Sequence, residues 1–594
     1  MQKPWTSRLR RAIGKLFHRR RYKYAEWFDR FETLSENDRR QIHERITRLP
    51  LRPRISILLP VYNIDDRWLR LALDSVLNQL YPDWELCVVD DCSPRPHVRA
   101  TLAEYQQKDA RIKVRLRERN GHISESTNDA LAMATGEFVA FFDHDDELTE
   151  HALYFVAEEI NQHPDVDLLY SDQDRIGPDG ELSFPMFKPG WSPDLLHSQN
   201  YVSHLSVFRT SLVRGLGGLR KGFEGSQDYD LVLRFSEQTR PERIRHIPRV
   251  LYHWRAIPGS VALGGDQKNY AHENARRALQ EHFSRTGRQV EVAEGFRGYH
   301  RILHPLPTPA PLVSLIIGTR DRVNLLRGIV DGILQETDYP NFEVIIVDNQ
   351  SSEPATLRYF DELRTDSRVR IVKYDAPFNF SAINNFGVQA SRGEVVGLLN
   401  NDLKVISPGW LTELVRQAIR PEVGAVGAKL YYANDTIQHA GVVLGIGPVA
   451  GHSHKYRPRK EFGFMARLNV VGNYSAVTAA CLFVRRSVFD EAGGLDEKNL
   501  AVAFNDVDLC LKIQARGYWN VFTPYAELYH LESASRGPDT APEAAPRFQR
   551  EVQFMVSKWG ERLKHDPCYN PNLSNLAENF DYACPPRTCK PWLP

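Results

Sequence analysis

The sequence predicts an α/β protein of two tandem domains, each a mostly parallel, Rossmann-like sheet wound with helices, behind a basic helical segment at the N-terminus. Three observations lead there. The chain has 594 residues, several times the roughly 150 that one core commonly serves. From Ile55 onward, short apolar runs alternate with amphipathic stretches, which is the pattern of βα units and a parallel sheet. After a proline-rich stretch at 305–311 the same alternation starts again.

Residues 1–52 form the lead-in. Arg8, Arg10, Arg11, Lys15, Arg19, Arg20, Arg21 and Lys23 surround Leu9, Ile13, Leu16 and Phe17, whose spacing is helical. Such a helix either lies on an anionic membrane surface or packs on the body with its charges in water. The whole chain carries a formal net charge of only +1, which offers no general attraction to nucleic acid. Seven cysteines, an odd number, are scattered without metal-ligand spacing until Cys584 and Cys589 near the end, and fit a reducing compartment. No run of about 18 apolar residues is present to cross a membrane, and no apolar segment follows the N-terminal charges as in a secretory signal. The expected location is the cytoplasm, with peripheral contact to the inner face of its membrane through the basic helix.

In the first domain Ile55-Ser56-Ile57-Leu58-Leu59 reads as a buried strand closed by Pro60-Val61-Tyr62-Asn63. A helix follows with Leu69, Leu73, Val76 and Leu77 on one side, then the strand Glu85–Val89 ending in Asp90 and Asp91. A further helix runs through Asn128 and Leu131 to Gly136. Next, Phe138-Val139-Ala140-Phe141-Phe142 passes straight into Asp143-His144-Asp145-Asp146-Glu147. In a parallel sheet ligands bind beyond the carboxyl ends of the strands, where this acidic cluster would hang. Carboxylates so close repel one another unless a cation sits among them, and hard cations such as Mg²⁺ prefer oxygen ligands. Taken alone, the cluster favours a solvated loop that caps the next helix.

It does not stand alone. Ser314 falls over Ser56 (314 − 56 = 258) and Asp348 over Asp90 (348 − 90 = 258). Ser381, Asn385, Gly393 and Asp402 fall over Ser124, Asn128, Gly136 and Asp145, each 257 later (402 − 145 = 257). Gln227-Asp228 matches Asn505-Asp506, and Tyr252-His253 matches Tyr529-His530. Two copies of a domain of roughly 230 to 250 residues account for this. Duplicated packing would repeat apolar positions, so repeated polar positions at strand ends point to a duplicated site. No Walker-type Gly-rich Lys loop and no G-x-G-x-x-G fingerprint appears, which argues against a P-loop enzyme and a dinucleotide dehydrogenase.

On the motifs Leu59-Pro60-Val61-Tyr62-Asn63, Val89-Asp90-Asp91, Phe142-Asp143-His144-Asp145-Asp146, Gln227-Asp228 and Tyr252-His253-Trp254-Arg255, both halves resemble family 2 glycosyltransferases of the GT-A fold. The type resembled builds bacterial O-antigen, capsule and related surface glycans. The resemblance covers about 53–265 and 311–540. Around 435–441 and 530–537 it extends to rhamnosyltransferase-like members.

The resemblance implies an inverting, metal-dependent transfer from a nucleotide-sugar donor to a glycan or lipid-linked glycan acceptor. Asp228, and Asp506 in the second copy, would be the bases that deprotonate the acceptor hydroxyl. Asp143, Asp145 and His253 would hold Mg²⁺ or Mn²⁺, with Asp402 and His530 as counterparts. Pro60, Tyr62, Asp90, Asp91, Asn128 and Arg255 would line the nucleotide-sugar site, matched by Thr319, Asp348 and Asn385. Asp146 is the acid that could merely face the helix. Gln227 stands where the family usually has Glu. The second copy departs more, since Asn400 replaces an acid and Leu403 replaces Asp146, but Asp402, Asp506 and His530 remain.

The expected division is a lead-in at 1–52, GT-A domains at 53–300 and 312–540, a linker at 301–311, and a C-terminal helix and tail at 541–594. Two active sites suggest two linkages. The alternatives are one catalytic N-terminal domain beside a glycan-binding second domain, or a sugar nucleotidyltransferase, for which no Gly-rich Lys/Arg signature follows the first strand. His439, His452 and His454 invite a zinc reading but have no Cys or acid at ligand spacing, which favours loop or acceptor contacts. Trp254 could stack on a sugar ring, with core packing as the default.

Overall fold

The computed structural model describes residues 23–257, 269–531 and 543–593. The expected basic helix around positions 8–21, and the motif positions 532–537, lie outside the described residues. The first described helices are Tyr24–Phe31 and Glu36–Thr47, the second opened by Ser35 and Asp38 bonding reciprocally to each other's main chain.

The strand Ile55–Val61 lies between two parallel neighbours, Trp84–Asp90 and Phe138–Phe141. Its side chains alternate between faces: Ile55, Ile57, Leu59 and Val61 enter one apolar core and Leu58 enters another. Burial on both faces is why the run is apolar at nearly every position. The first sheet is ordered Ile112–Leu116, Trp84–Asp90, Ile55–Val61, Phe138–Phe141, Ser206–Arg209, Leu168–Ile176, Ile244–Arg255, Glu147–Leu148, with Leu182–Met186 hairpinned onto Leu168–Ile176. Ser206–Arg209 runs antiparallel to both neighbours, while Leu168–Ile176 and Ile244–Arg255 pair in parallel. The second sheet repeats this order with Val369–Lys373, Phe342–Asp348, Val313–Thr319, Val395–Leu399, Cys481–Arg485, Val423–Tyr431, Trp519–His530 and Leu403–Val405. The sequence expectation of two tandem, mostly parallel α/β domains is met.

Several duplicated polar positions hold the fold. Ser56 Oγ donates to Glu85 Oε1 (2.6 Å) and accepts the Gly136 N–H (2.9 Å), while Thr135 and Lys113 also donate to Glu85. In the second domain Ser314, Glu343, Gly393 and Arg392 make the same latch. A Cβ on Gly136 would sit 2.5 Å from Arg54 O, so the chain passes too closely there for any other residue. Asn128 likewise clamps both main-chain groups of Leu219, and Asn385 those of Leu495. The inference that repeated polar positions mark only a repeated site is therefore corrected. Buried polar groups must be satisfied in pairs, and that constraint repeats as faithfully as chemistry does.

The two halves are tied together. Asp194 of the first accepts from Arg420 (2.6 Å) and from the Asn473 amide (2.7 Å) of the second. After helix Ala545–Trp559 the tail returns to the first half, where Asn570 and Asn572 donate to Asp172 and Trp592 Nε1 donates to Asp38 (2.7 Å). Trp27, Phe187 and Tyr582 share one aromatic cluster from three parts of the chain. His300–Leu303 pairs with Glu291–Glu294, so the residues expected to begin the linker belong to a hairpin.

Candidate active site

The acidic loop Asp143–Asp146 leaves strand Phe138–Phe141 at its carboxyl end and enters the short strand Glu147–Leu148, which pairs with Tyr252 and His253. That pairing pulls Asp146 inward. Its carboxylate accepts the Tyr252 hydroxyl (2.5 Å) and the Arg255 N–H (2.7 Å). Burial first, then the neighbouring Asp145 and Asp143, push its pKa well up. Asp146 is thus the anchor of the loop.

Asp143 and Asp145 remain half-buried at the surface of the loop. The Asp143 N–H points at the Tyr252 hydroxyl (3.4 Å), and its carboxylate lies 3.8 Å from His204 Nε2. His204 stacks flat on Tyr252, with ring centroids 4.5 Å apart. Asp143, Asp146 and His204 bring ligand atoms within 4.8 Å of one another, a set able to hold a hard cation. Asp146 is already committed to two donors, however. His253, expected as a metal ligand, is turned away: its Nδ1 is 2.6 Å from Asp174, which also accepts the Tyr24 hydroxyl.

Asp228 stands in the first turn of helix Gln227–Ser236 and accepts from the Asn200 amide (2.8 Å). Burial raises its pKa, His204 opposes that shift, and Asp143 adds to it. His204 is pushed down to about 4 by burial, with Asp228 and Asp145 opposing and Lys188 adding. Lys188 Nζ donates to the carbonyls of Val202 and His204, which fixes the main chain that carries this ring. Its own pKa falls to about 7 through burial. No motif marks His204 or Lys188 in the sequence. His204 meets Asp143 because Ser206–Arg209, which follows it, inserts between the strands at Phe138 and Leu168.

The remaining expected residues divide. Tyr62 is exposed, and the Pro60 carbonyl accepts from His144 (3.0 Å). Asp90 accepts the Ser93 N–H (3.1 Å), and Asp91 accepts the Gly121 N–H (2.9 Å) beside Arg117 (3.3 Å). Asn128 is spent on Leu219, as described above. Arg255 does not reach out as a phosphate contact. Its side chain is 2 % exposed, bonds the Asp145 carbonyl (2.8 Å), pairs with Glu147 and lies over Trp68.

In the second domain the acid and the histidine do meet. His530 Nε2 lies 3.3 Å from Asp402 and 3.1 Å from the Asn400 amide. Both residues are buried, and His530 Nδ1 has no hydrogen-bond partner among the described residues. Asp506 accepts the Ala479 N–H (3.0 Å), Asn401 donates to Thr319, and Asp348 accepts the Ser351 N–H (2.9 Å). Asn385 is held on Leu495. His439 is a structural ring: Nδ1 faces the Ala428 carbonyl, Nε2 accepts from Gly441 and Thr478, and burial pushes its pKa to about 3.

The family model described as glycosyl transferase family 2 matches residues 56–217 and 314–493. The chain is 49 % identical over 92 % of its length to an uncharacterized protein, y4gI, of Sinorhizobium fredii, of which it covers 60 %. It is 40 % identical over 90 % of its length to the O-antigen biosynthesis protein RfbC of Myxococcus xanthus, of which it covers 41 %. The chain therefore spans only about half the length of these relatives. The solved structure of Staphylococcus aureus TarS 1–349 with UDP-GlcNAc is 22 % identical over 39 % of this chain and 66 % of its own, at a TM-score of 0.33.

Proposed function

This chain belongs to glycosyl transferase family 2 in both of its halves, and from that premise we propose that it moves sugars from nucleotide-sugar donors onto a bacterial surface glycan, forming two linkages. The observation that carries the reading is the convergence of Asp143, His204 and Asp228 beyond the strand ends, with Asp228 raised in pKa by burial. A base works best when its pKa approaches the working pH, and such catalysis contributes roughly 10²- to 10⁴-fold.

In the proposed reaction Asp228 takes the proton of the acceptor hydroxyl. The acceptor oxygen forms a bond to the anomeric carbon on the face opposite the nucleotide, and the breaking sugar–phosphate bond gives its electron pair to the leaving nucleoside diphosphate. Asp143 and Asp145 would hold a divalent cation, Mg²⁺ or Mn²⁺, which when bound offsets charge on that diphosphate. The fit rests on the half-buried carboxylates of both residues and on His204 beside the first. Asp402 and His530 would serve in the second domain, with Asp506 as base. Tyr62, which is exposed, is the retained candidate for the nucleotide; Asp90, Asn128, Asn385 and Arg255 have structural partners instead.

Replacing Asp228 and Asp506 separately by Asn should abolish different linkages in the glycan product. Loss of both linkages from either change would refute two independent sites. The alternative of a single catalytic domain is favoured by Asn400, which supplies no charge beside His530. It predicts that Asp228→Asn alone removes all transfer. Among the described residues no helix is long and apolar enough to cross a membrane. Peripheral contact through positions 8–21 belongs to this proposal, and equal sedimentation of full-length and 23–594 protein with anionic vesicles at low salt would contradict it.

A further inference from the structure

Beyond His204, the same sheet face carries a second arrangement. Tyr252 and Trp254 are two apart on strand Ile244–Arg255 and so point the same way, as do Gln173 and Arg175 on the paired strand. Gln173 Oε1 accepts from Ser203 and from the His204 N–H, which places this face against the acidic loop. Trp254 lies 6.3 Å from the His204 ring. Outward from it, the Arg175 guanidinium sits 5.4 Å from the Trp254 ring and 5.2 Å from the Phe184 ring.

Arg175 is half-buried, yet among the described residues no carboxylate pairs with it and no side-chain hydrogen bond engages it. The only influence on its pKa is burial, downward. Arg255, one position past Trp254 on the neighbouring strand, does pair with Glu147. Phe184, by contrast, is 69 % exposed, and its backbone is held at a φ of 48°. A bulky apolar residue in that conformation is uncommon and costs free energy that packing here does not return. Two rings beside a guanidinium leave its N–H edge as the part able to bind, and that planar fork suits an oxyanion with two oxygens.

We propose that Trp254, Arg175 and Phe184 form the acceptor subsite of the first domain, selecting a glycan acceptor that carries an oxyanion, carboxylate or phosphate, next to the sugar being extended. This rests on the proposed transferase reading of the Asp143–His204–Asp228 site. The rings cover the apolar faces of the acceptor's sugar or chain, and Arg175 receives the charge. A neutral acceptor would leave the half-buried guanidinium unpaired, which disfavours it.

The test uses the full chain and three synthetic acceptors: a disaccharide on an alkyl diphosphate, a glucuronic-acid disaccharide on a neutral alkyl group, and a neutral disaccharide on the same alkyl group. Arg175→Gln should lower the ratio of kcat/KM for a charged acceptor over the neutral one by roughly 10- to 100-fold, the effect of losing a charge-assisted contact. Arg175→Lys should restore part of that ratio, and the loss should lie in KM. Preference for the diphosphate or for the glucuronate identifies the oxyanion. An unchanged ratio, or equal use of the neutral acceptor by the wild type, overturns the proposal. Calorimetric titration of the same three compounds into wild type and Arg175→Gln reads the subsite without turnover. A charged compound that binds the wild type at least 10-fold tighter than it binds the variant upholds the subsite even if no transfer occurs, which separates it from failure of the transferase reading. Equal binding overturns it.

Discussion

Replacing Glu85 by Gln removes one negative charge from strand Trp84–Asp90 of the first sheet while keeping the shape of the side chain. Glu85 is 5 % exposed and receives hydrogen bonds from Lys113, Ser56 and Thr135. Burial alone would raise its pKa, but these donors outweigh burial and hold the carboxyl at about 2 against an ordinary 4.5. That difference corresponds to about 3 kcal/mol of folding free energy at neutral pH. A depressed carboxyl contributes its full share above its unfolded pKa and loses it as pH falls toward its folded pKa. Glu85→Gln should therefore destabilise the first domain by about 3 kcal/mol at pH 7, and the deficit should shrink by about 1 kcal/mol at pH 3.5. Urea unfolding of the full chain measures the first quantity at both pH values. Amide exchange of Thr135 and Gly136, whose N–H groups end on Glu85 and Ser56, reports the same loss locally. A deficit below about 0.5 kcal/mol at pH 7, or one that does not shrink with acid, would refute the role given to the charge.

Other expectations can be checked alongside. Arg255→Lys should lower the melting temperature of the first domain, by about 1–3 kcal/mol in stability, because it breaks the fork between Glu147 and the Asp145 carbonyl; a raised donor KM at unchanged stability would restore the phosphate-contact reading. Asp194→Asn should cost about 3 kcal/mol and split thermal unfolding into two calorimetric transitions, since the buried Arg420 loses its partner across the halves. Asp145→Asn should raise the Mg²⁺ or Mn²⁺ concentration needed for half-maximal donor hydrolysis without altering the melting temperature of the metal-free protein. An unchanged metal requirement would move the ligand role elsewhere in the loop.

Much of the fold is legible because its strands are buried on both faces. Ile55–Val61 and Val313–Thr319 have no polar face to confuse their reading, and the offset near 258 exposes the duplication. The acidic loop is visible for the same reason, since it ends an apolar run. Roles within it are not. Asp143, Asp145 and Asp146 look alike in sequence, and only the pairing of Glu147 with His253 decides that Asp146 turns inward to Tyr252. His253 and His530 occupy matched positions, yet one bonds Asp174 and the other faces Asp402, because position 174 of the first domain offers a carboxylate within reach. His204 carries no signal at all, being brought to Asp143 by an antiparallel strand from about sixty residues further along the chain.

A duplicated α/β chain with acids at matched strand ends can be read from residue order, since periodicity and offset are local, additive signals. The tertiary structure alone decided which of those polar residues hold the fold and which are left facing outward. Whether a carboxylate is a latch or a free acceptor depends on which hydrogen-bond donors surround it. For Glu85 and Asp146 these come from neighbouring strands, and for Asp172 they come from a tail nearly 400 residues away. The single-chain order carries no record of such distant partners.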